Sequence, residues 1–105
     1  MKKSVLITVI TMLTFAGASA HAKCVLSSSH QTNLVNANKW ILQAEENDLK
    51  VIVSLSPDTQ SVTQMRIKDL SLGTVIISDT TAPLSSLPTL TYEKNGQTFN
   101  LICGN

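Results

Sequence analysis

The chain has 105 residues, of which 43% are hydrophobic and 14% charged, and its formal net charge is +1. Lys2 and Lys3 are two of its eight basic residues, so the rest of the chain carries six Lys and Arg against seven Asp and Glu. The cations are scattered along the sequence, which disfavours a nucleic-acid-binding surface, because such a surface needs clustered positive charge. A chain of this length predicts one domain.

The first 22 residues have the pattern of a cleavable secretory signal peptide. Lys2 and Lys3 precede an uncharged run over residues 5–18, which is shorter than the roughly 20 residues of a membrane-spanning helix. Two overlapping A-x-A motifs place the cut after Ala22 or, alternatively, after Ala20. We predict cleavage after Ala22, a single domain over residues 23–105, no stable membrane anchor after cleavage, and a periplasmic or secreted location.

The two cysteines, Cys24 and Cys103, lie near the two ends of the predicted mature chain. Lys23 stands where a bacterial lipoprotein signal requires a small residue, so we do not expect Cys24 to carry a lipid. No C-x-x-C motif is present, which disfavours metal binding and redox activity. Because exported proteins meet an oxidising compartment, the sequence predicts a Cys24–Cys103 disulfide. Its loop of about 80 residues stabilises the fold by about 4.5 kcal/mol.

Short apolar runs between turn signals predict an all-β domain. In residues 49–55, Leu49, Val51 and Val53 alternate with other side chains, as in a half-buried strand. Asparagines disfavour a helix in the stretch that follows the first strand, so we predict a loop or short helical turn over residues 28–38. The prediction comprises about seven short strands, at residues 23–27, 39–45, 49–55, 62–68, 74–78, 89–94 and 97–103.

The strongest turn signal is Asn95-Gly96, because a two-residue type I′ turn needs positive φ at both positions. With this pair in the turn, Tyr92 opposes Phe99, and apolar and polar side chains separate onto opposite faces. Cys103 has the parity of Phe99, so we expect it to point into the core. Successive hairpins predict a mostly antiparallel arrangement, either a small β-sandwich or, as the alternative, a small closed β-barrel.

No catalytic or cofactor-binding motif occurs in the sequence. His30, which remains after either cut, is a weak candidate for acid–base chemistry with Glu45, Glu46 or Asp48, and a solvated loop histidine is the favoured interpretation. We therefore predict a protein that is not an enzyme and has no cofactor or metal. Core packing is favoured for Trp40 over an exposed anchor for a partner. Trp40 and His30 are the candidate partner contacts.

These features predict a binding module whose partner is another exported protein, such as an inhibitor or an immunity-type protein. The alternative is a structural or assembly subunit, or a ring-forming receptor-binding subunit, which would self-associate. A small exported β-domain with two distant cysteines resembles several groups: periplasmic inhibitors and immunity proteins, receptor-binding toxin subunits, and fimbrial subunits. No motif in the sequence is specific to one of these groups. The sequence does not define the oligomeric state.

Overall fold

The computed structural model describes residues 22–105, so the predicted signal peptide, apart from Ala22, lies outside the described residues. The described chain contains ten strands and a short 3-10 turn over Leu84–Ser86. The strands are β1 (Lys23–Ser27), β2 (Gln31–Asn33), β3 (Val35–Asn38), β4 (Ile41–Glu46), β5 (Leu49–Leu55), β6 (Ser61–Asp69), β7 (Thr74–Ser78), β8 (Ala82–Pro83), β9 (Thr89–Lys94) and β10 (Gln97–Gly104).

The strands form two antiparallel sheets, and both sheets are open. The four-stranded sheet has the order β2-β1-β10-β9, and the six-stranded sheet has the order β3-β4-β5-β6-β7, with β8 paired to β6. The all-β prediction is confirmed, whereas the closed-barrel alternative is wrong, because each sheet ends in strands with a free edge. None of the helical turns in residues 22–105 has the length and hydrophobicity needed to cross a membrane.

The number of strands is ten rather than the predicted seven. Two of the additional strands, β2 and β3, occupy residues 28–38, where we expected a loop or helical turn, and the third, β8, has two residues. β4 begins at Ile41 rather than at residue 39, because Lys39 and Trp40 form the turn that follows β3. Backbone pairing defines β3, while all four of its side chains are exposed, so its hydrophobic pattern contains no strand signal.

In two of the hairpins, both residues of a two-residue turn have positive φ angles. The β9–β10 register is confirmed, with Tyr92 opposite Phe99 and positive φ angles of 54° at Asn95 and 77° at Gly96. Asn47 and Asp48, with φ angles of 53° and 61°, form the corresponding turn between β4 and β5. Asparagine and aspartate tolerate this left-handed conformation better than most residues, which explains why the chain reverses at these positions.

The core lies between the inward faces of the two sheets. Leu49, Val51 and Val53 of β5 are fully buried, as their alternation predicts, and Leu101 and Phe99 of β10 are buried from the opposite sheet. Burying each such side chain contributes about 1.5–3 kcal/mol relative to its exposure to water.

The predicted disulfide is confirmed. Cys24 and Cys103 are opposite each other in the β1–β10 pair, with their Cα atoms 4.1 Å apart and a sequence separation of 79. Both side chains are buried, as the parity of Cys103 predicts. The bond therefore joins β1 to β10, which are the two central strands of the four-stranded sheet.

Candidate functional site

The two ends of the molecule differ in chemistry. The turns at residues 28–30, 47–48, 70–73 and 95–96 lie together at one end, which we call the polar end. The disulfide, Ala22 and the turns at residues 39–40 and 56–60 lie at the other, which we call the disulfide end.

Asp69 is the central residue of the polar end. It follows Met65 and Ile67 in the inward-facing positions of β6, and it is fully buried. One of its carboxylate oxygens accepts hydrogen bonds from the backbone N–H and the hydroxyl of Ser71, at 3.0 and 2.7 Å. A buried carboxylate requires such partners, and the loop after β6 supplies the first two.

The four-stranded sheet supplies the remaining partners of Asp69. The Tyr92 hydroxyl donates to one carboxylate oxygen at 2.8 Å, and the Lys94 ammonium donates to the other at 3.2 Å. Hydrogen bonds from Ser71, Tyr92 and Lys94 hold the pKa of Asp69 well below its usual range, although burial acts in the opposite direction. The same carboxylate raises the pKa of the Tyr92 hydroxyl. These contacts form a polar clasp between the two sheets.

A second clasp joins β4 to β2 and the turn before it, whereas the first joins β6 to β9. Glu46 occupies the last inward-facing position of β4, and its carboxylate accepts a hydrogen bond from the Thr32 hydroxyl and pairs with Nε2 of His30. The hydrogen bond from Thr32, followed by the interactions with His30, lowers the pKa of Glu46. The Ser29 hydroxyl lies 3.4 Å from Nδ1 of the same histidine.

Of the three carboxylates that we considered as partners for His30, the structure places only one beside it. Glu46 contacts the histidine, Glu45 faces outward opposite Lys50, and Asp48 lies in the turn after β4. The His30 side chain is 57% exposed. Its geometry is that of an exposed structural ion pair rather than a group enclosed in a substrate cleft.

Trp40 lies at the disulfide end and is 45% exposed, so the expectation that it is buried in the core is wrong. The connection between β3 and β4 is short, and Trp40 occupies the turn itself. Its indole N–H donates to the carbonyl of Pro57 at 3.3 Å, and the Lys39 ammonium lies 5.6 Å from the ring centroid. Trp40 is therefore an ordered aromatic side chain at the surface.

A cleft of about 590 Å³ opens beside the disulfide. Its walls combine apolar side chains, including the 60% exposed Leu87, with the amides of Gln31, Asn33 and Asn36. Ala22 also contributes to the wall and is only 8% exposed. Among the described residues that line the cleft there is no carboxylate, and Lys23 is the charged one, so its walls offer amide groups, apolar contact and one positive charge.

The outward face of the six-stranded sheet carries a cluster of positive charge that we call the basic face. It consists of Lys50, Arg66 and Lys68, which are three of the six Lys and Arg residues in positions 22–105. Lys50 and Lys68 are directly opposite each other on β5 and β6, and Arg66 is opposite Ile52. The cations are scattered in the sequence, and strand pairing brings these three together.

Arg66 has a further distinguishing feature. Its Nε atom is buried and, within the described part of the chain, has no hydrogen-bond partner. Buried nitrogen atoms in folded proteins are nearly always paired. Arg66 therefore leaves one unsatisfied donor beneath the surface of the basic face.

Sequence reasoning identified the disulfide, His30 and Trp40, and it missed the Asp69 clasp and the basic face. Asp69 continues the inward-facing positions of β6 after Met65 and Ile67, and this charged residue at an apolar position was the available signal.

Over residues 22–105, no group of three His, Cys, Asp or Glu side chains is placed to hold a metal ion. In comparisons with protein-family models, curated proteins and solved structures, no match to this chain was found.

Proposed function

We propose that this protein is a small exported binding module without catalytic activity, and that it docks an acidic surface of another exported protein, as an inhibitor or immunity-type protein does. Its two sheets act as a rigid small sandwich that presents the basic face. The single observation that carries the proposal is the cross-strand cluster of Lys50, Arg66 and Lys68.

The cluster supports binding because it has an energetic cost in the free protein. Like charges directly opposite each other on neighbouring strands, as in the Lys50–Lys68 pair, destabilise a sheet. An acidic partner converts that repulsion into attraction, and arginine is enriched among the residues that dominate binding energy.

A protein partner fits the basic face better than a nucleic acid. Residues 22–105 as a whole carry six basic and seven acidic residues, and Glu45 lies next to Lys50 on the same face. The apolar side chains of Val75 and Ile77 adjoin Lys68 and Arg66. A small charged patch bordered by apolar area is typical of protein–protein interfaces.

The non-catalytic part of the proposal is supported by the surroundings of His30. Its partner Glu46 belongs to the clasp between the sheets, and the imidazole lies in a largely exposed turn. An ester- or amide-hydrolysing activity of the purified protein that disappears in a His30→Ala variant would contradict this part.

Export is supported by the disulfide, because such bonds persist in oxidising compartments. The burial of Ala22 supports cleavage after Ala20, since a cut after Ala22 would remove a side chain that packs in the core. The intact mass of the exported protein distinguishes the two sites.

The proposal is tested by affinity capture from the exported protein fraction of the source cells. The bait is the disulfide-bonded protein, compared with a Lys50→Glu/Lys68→Glu variant and with Lys39→Glu, a matched charge reversal away from the basic face. We expect wild type and Lys39→Glu to capture the same acidic protein, with capture weakening as salt is raised. The double variant should bind this protein at least about tenfold more weakly.

Equal capture by all three baits, or capture of chaperones alone, would overturn the proposed function.

A second function, self-association, is favoured by a different observation at the edge of the six-stranded sheet.

A further inference from the structure

β7 is a free edge strand with an unusual composition for that position. Among the described strands it pairs only with β6, and its five residues, Thr-Val-Ile-Ile-Ser, include no charge, proline or glycine. Exposed edges in natural proteins are usually protected by such residues or by a covering segment, because their unpaired backbone groups accept further strands.

Exposed apolar side chains concentrate at the same place. Seven large apolar side chains in residues 22–105 are exposed, and four of these lie on β7 or in the loop before it. These four are Leu70, Leu72, Val75 and Ile77, at 42%, 67%, 43% and 46% exposure. Clustered apolar exposure of this kind marks an interaction surface.

We propose that two copies of this chain pair antiparallel along β7, about a two-fold axis at Ile76. In that register Thr74 opposes Ser78 of the second copy, and Val75 opposes Ile77, so each side chain meets one of matching chemistry. Val75 and Ile77 from both copies then form one apolar cluster on the outward face. An interface that uses the same patch on both subunits is the commonest arrangement in homo-oligomers.

The charges near β7 are compatible with this pairing. Lys68 and Arg66 lie one strand further in, so the two β6 strands are three strand spacings apart, about 14 Å, which exceeds the Debye length at physiological salt. Asp79, which follows β7, would oppose Gly73 of the second copy. Its Cα atom would lie about 12 Å from that of the second copy's Lys68, from the spacings of strands and residues in sheets. The side chains of Asp79 and the second copy's Lys68 extend from these Cα atoms, so their opposite charges are closer together than the Cα atoms are.

The second copy is the occupant that we favour over a strand from a different protein, because the five residues of β7 complement themselves. The inference goes beyond the proposed function and does not depend on it. The basic face lies on β5 and β6 and remains uncovered, so pairing along β7 places two basic faces side by side. A five-residue edge is small compared with stable interfaces, and we therefore expect a dimer that dissociates on dilution.

Sedimentation velocity of the full disulfide-bonded protein over a range of concentrations tests the pairing. The variants are Val75→Lys and Ile77→Lys, with Val35→Lys as a matched control, because Val35 is 64% exposed on the edge strand at the other side of the same sheet. We expect the average mass of wild type and Val35→Lys to rise toward twice the monomer value, and both β7 variants to remain monomeric. A wild type that is monomeric at every concentration would overturn the inference, as would a dimer that both β7 variants retain.

Cysteine cross-linking tests the register without relying on the folding of the lysine variants. A mixture of Val75→Cys and Ile77→Cys proteins should form a covalent dimer under mild oxidation, since these positions face each other across the axis. Val75→Cys alone should not, because two copies of residue 75 would be about 8 Å apart, beyond the reach of a disulfide. A mixture that yields no product, or Val75→Cys that cross-links equally well alone, would overturn this register.

Discussion

The polar end and the disulfide end hold the same two sheets together by different means. At the polar end, Asp69 and Glu46 occupy the last inward-facing positions of β6 and β4, and each is clasped by donors from the four-stranded sheet. At the disulfide end, a covalent bond fixes the first strand to the last, and a cleft opens beside it. The clasps are therefore sensitive to acid and the disulfide to reductant, so the two kinds of connection can be disrupted separately.

Removing the disulfide is the largest expected perturbation. A Cys24→Ala/Cys103→Ala variant should lose about 4.5 kcal/mol of unfolding free energy, because a loop of this length no longer restrains the unfolded chain. Urea unfolding at neutral pH measures the loss, and reduced wild-type protein should match the variant. A loss below about 1 kcal/mol would contradict a large contribution of the disulfide to stability.

Asp69→Asn is expected to have the largest effect at the polar end. The neutral amide leaves the Lys94 ammonium, whose side chain is 14% exposed, without its carboxylate. Asp58→Asn is a matched control, since Asp58 also accepts hydrogen bonds from a nearby serine and backbone but lies in an exposed turn. The urea midpoint should fall clearly further for Asp69→Asn than for Asp58→Asn. Equal midpoints for the two variants would contradict a stabilising role for this clasp.

Acid should weaken the two polar clasps. The folded-state pKa values of Asp69 and Glu46 are lowered, so the unfolded chain takes up protons first as the pH falls. The stability that these groups contribute is complete above the unfolded pKa values of about 4, and it is lost as the pH falls below them. Urea midpoints between neutral pH and the acid range should fall more steeply for wild type than for Asp69→Asn. Parallel profiles would contradict this assignment.

Glu46→Gln is expected to have a smaller effect than Asp69→Asn, because the Glu46 side chain is 26% exposed and water replaces part of the lost contact. Glu45→Gln is the matched control, since Glu45 is its outward-facing neighbour on β4. Thermal unfolding at neutral pH should rank Asp69→Asn below Glu46→Gln, and Glu46→Gln slightly below Glu45→Gln. A reversed ranking of the two clasps would mean that the β2 side, rather than the β9 side, is the stronger connection.

Trp40→Ala is expected to change stability least, by about 1 kcal/mol or less, because an exposed turn residue contributes little to the core. Leu101→Ala, in contrast, removes a fully buried side chain and should lower stability by about 2–5 kcal/mol. In the folded protein the fluorescence of this single tryptophan should be accessible to a soluble quencher. Emission that is protected until the protein unfolds would place Trp40 in a buried site.

The parts of the fold that the sequence predicted depend on local signals. Asn95-Gly96 specifies its turn by backbone conformation, and the alternation in β5 identifies a strand with one buried face. β3 escaped prediction because its four side chains are all exposed, which leaves backbone pairing as its only determinant. The basic face and the clasps depend on which strands become neighbours: Asp69 and Lys94 are 25 residues apart, and no local pattern connects them.

The joining of the first and last strands has a kinetic consequence. The six-stranded sheet is largely a succession of hairpins, whereas the four-stranded sheet must bring β1 and β2 to β9 and β10. Pairing between strands so far apart in sequence is slow, because the chain loses the entropy of loop closure before the stabilising contacts form. A chain delivered from its N-terminus cannot complete the four-stranded sheet until β10 arrives. During that interval the inward face of the six-stranded sheet is uncovered, so the time to closure determines how long this apolar face is open to aggregation.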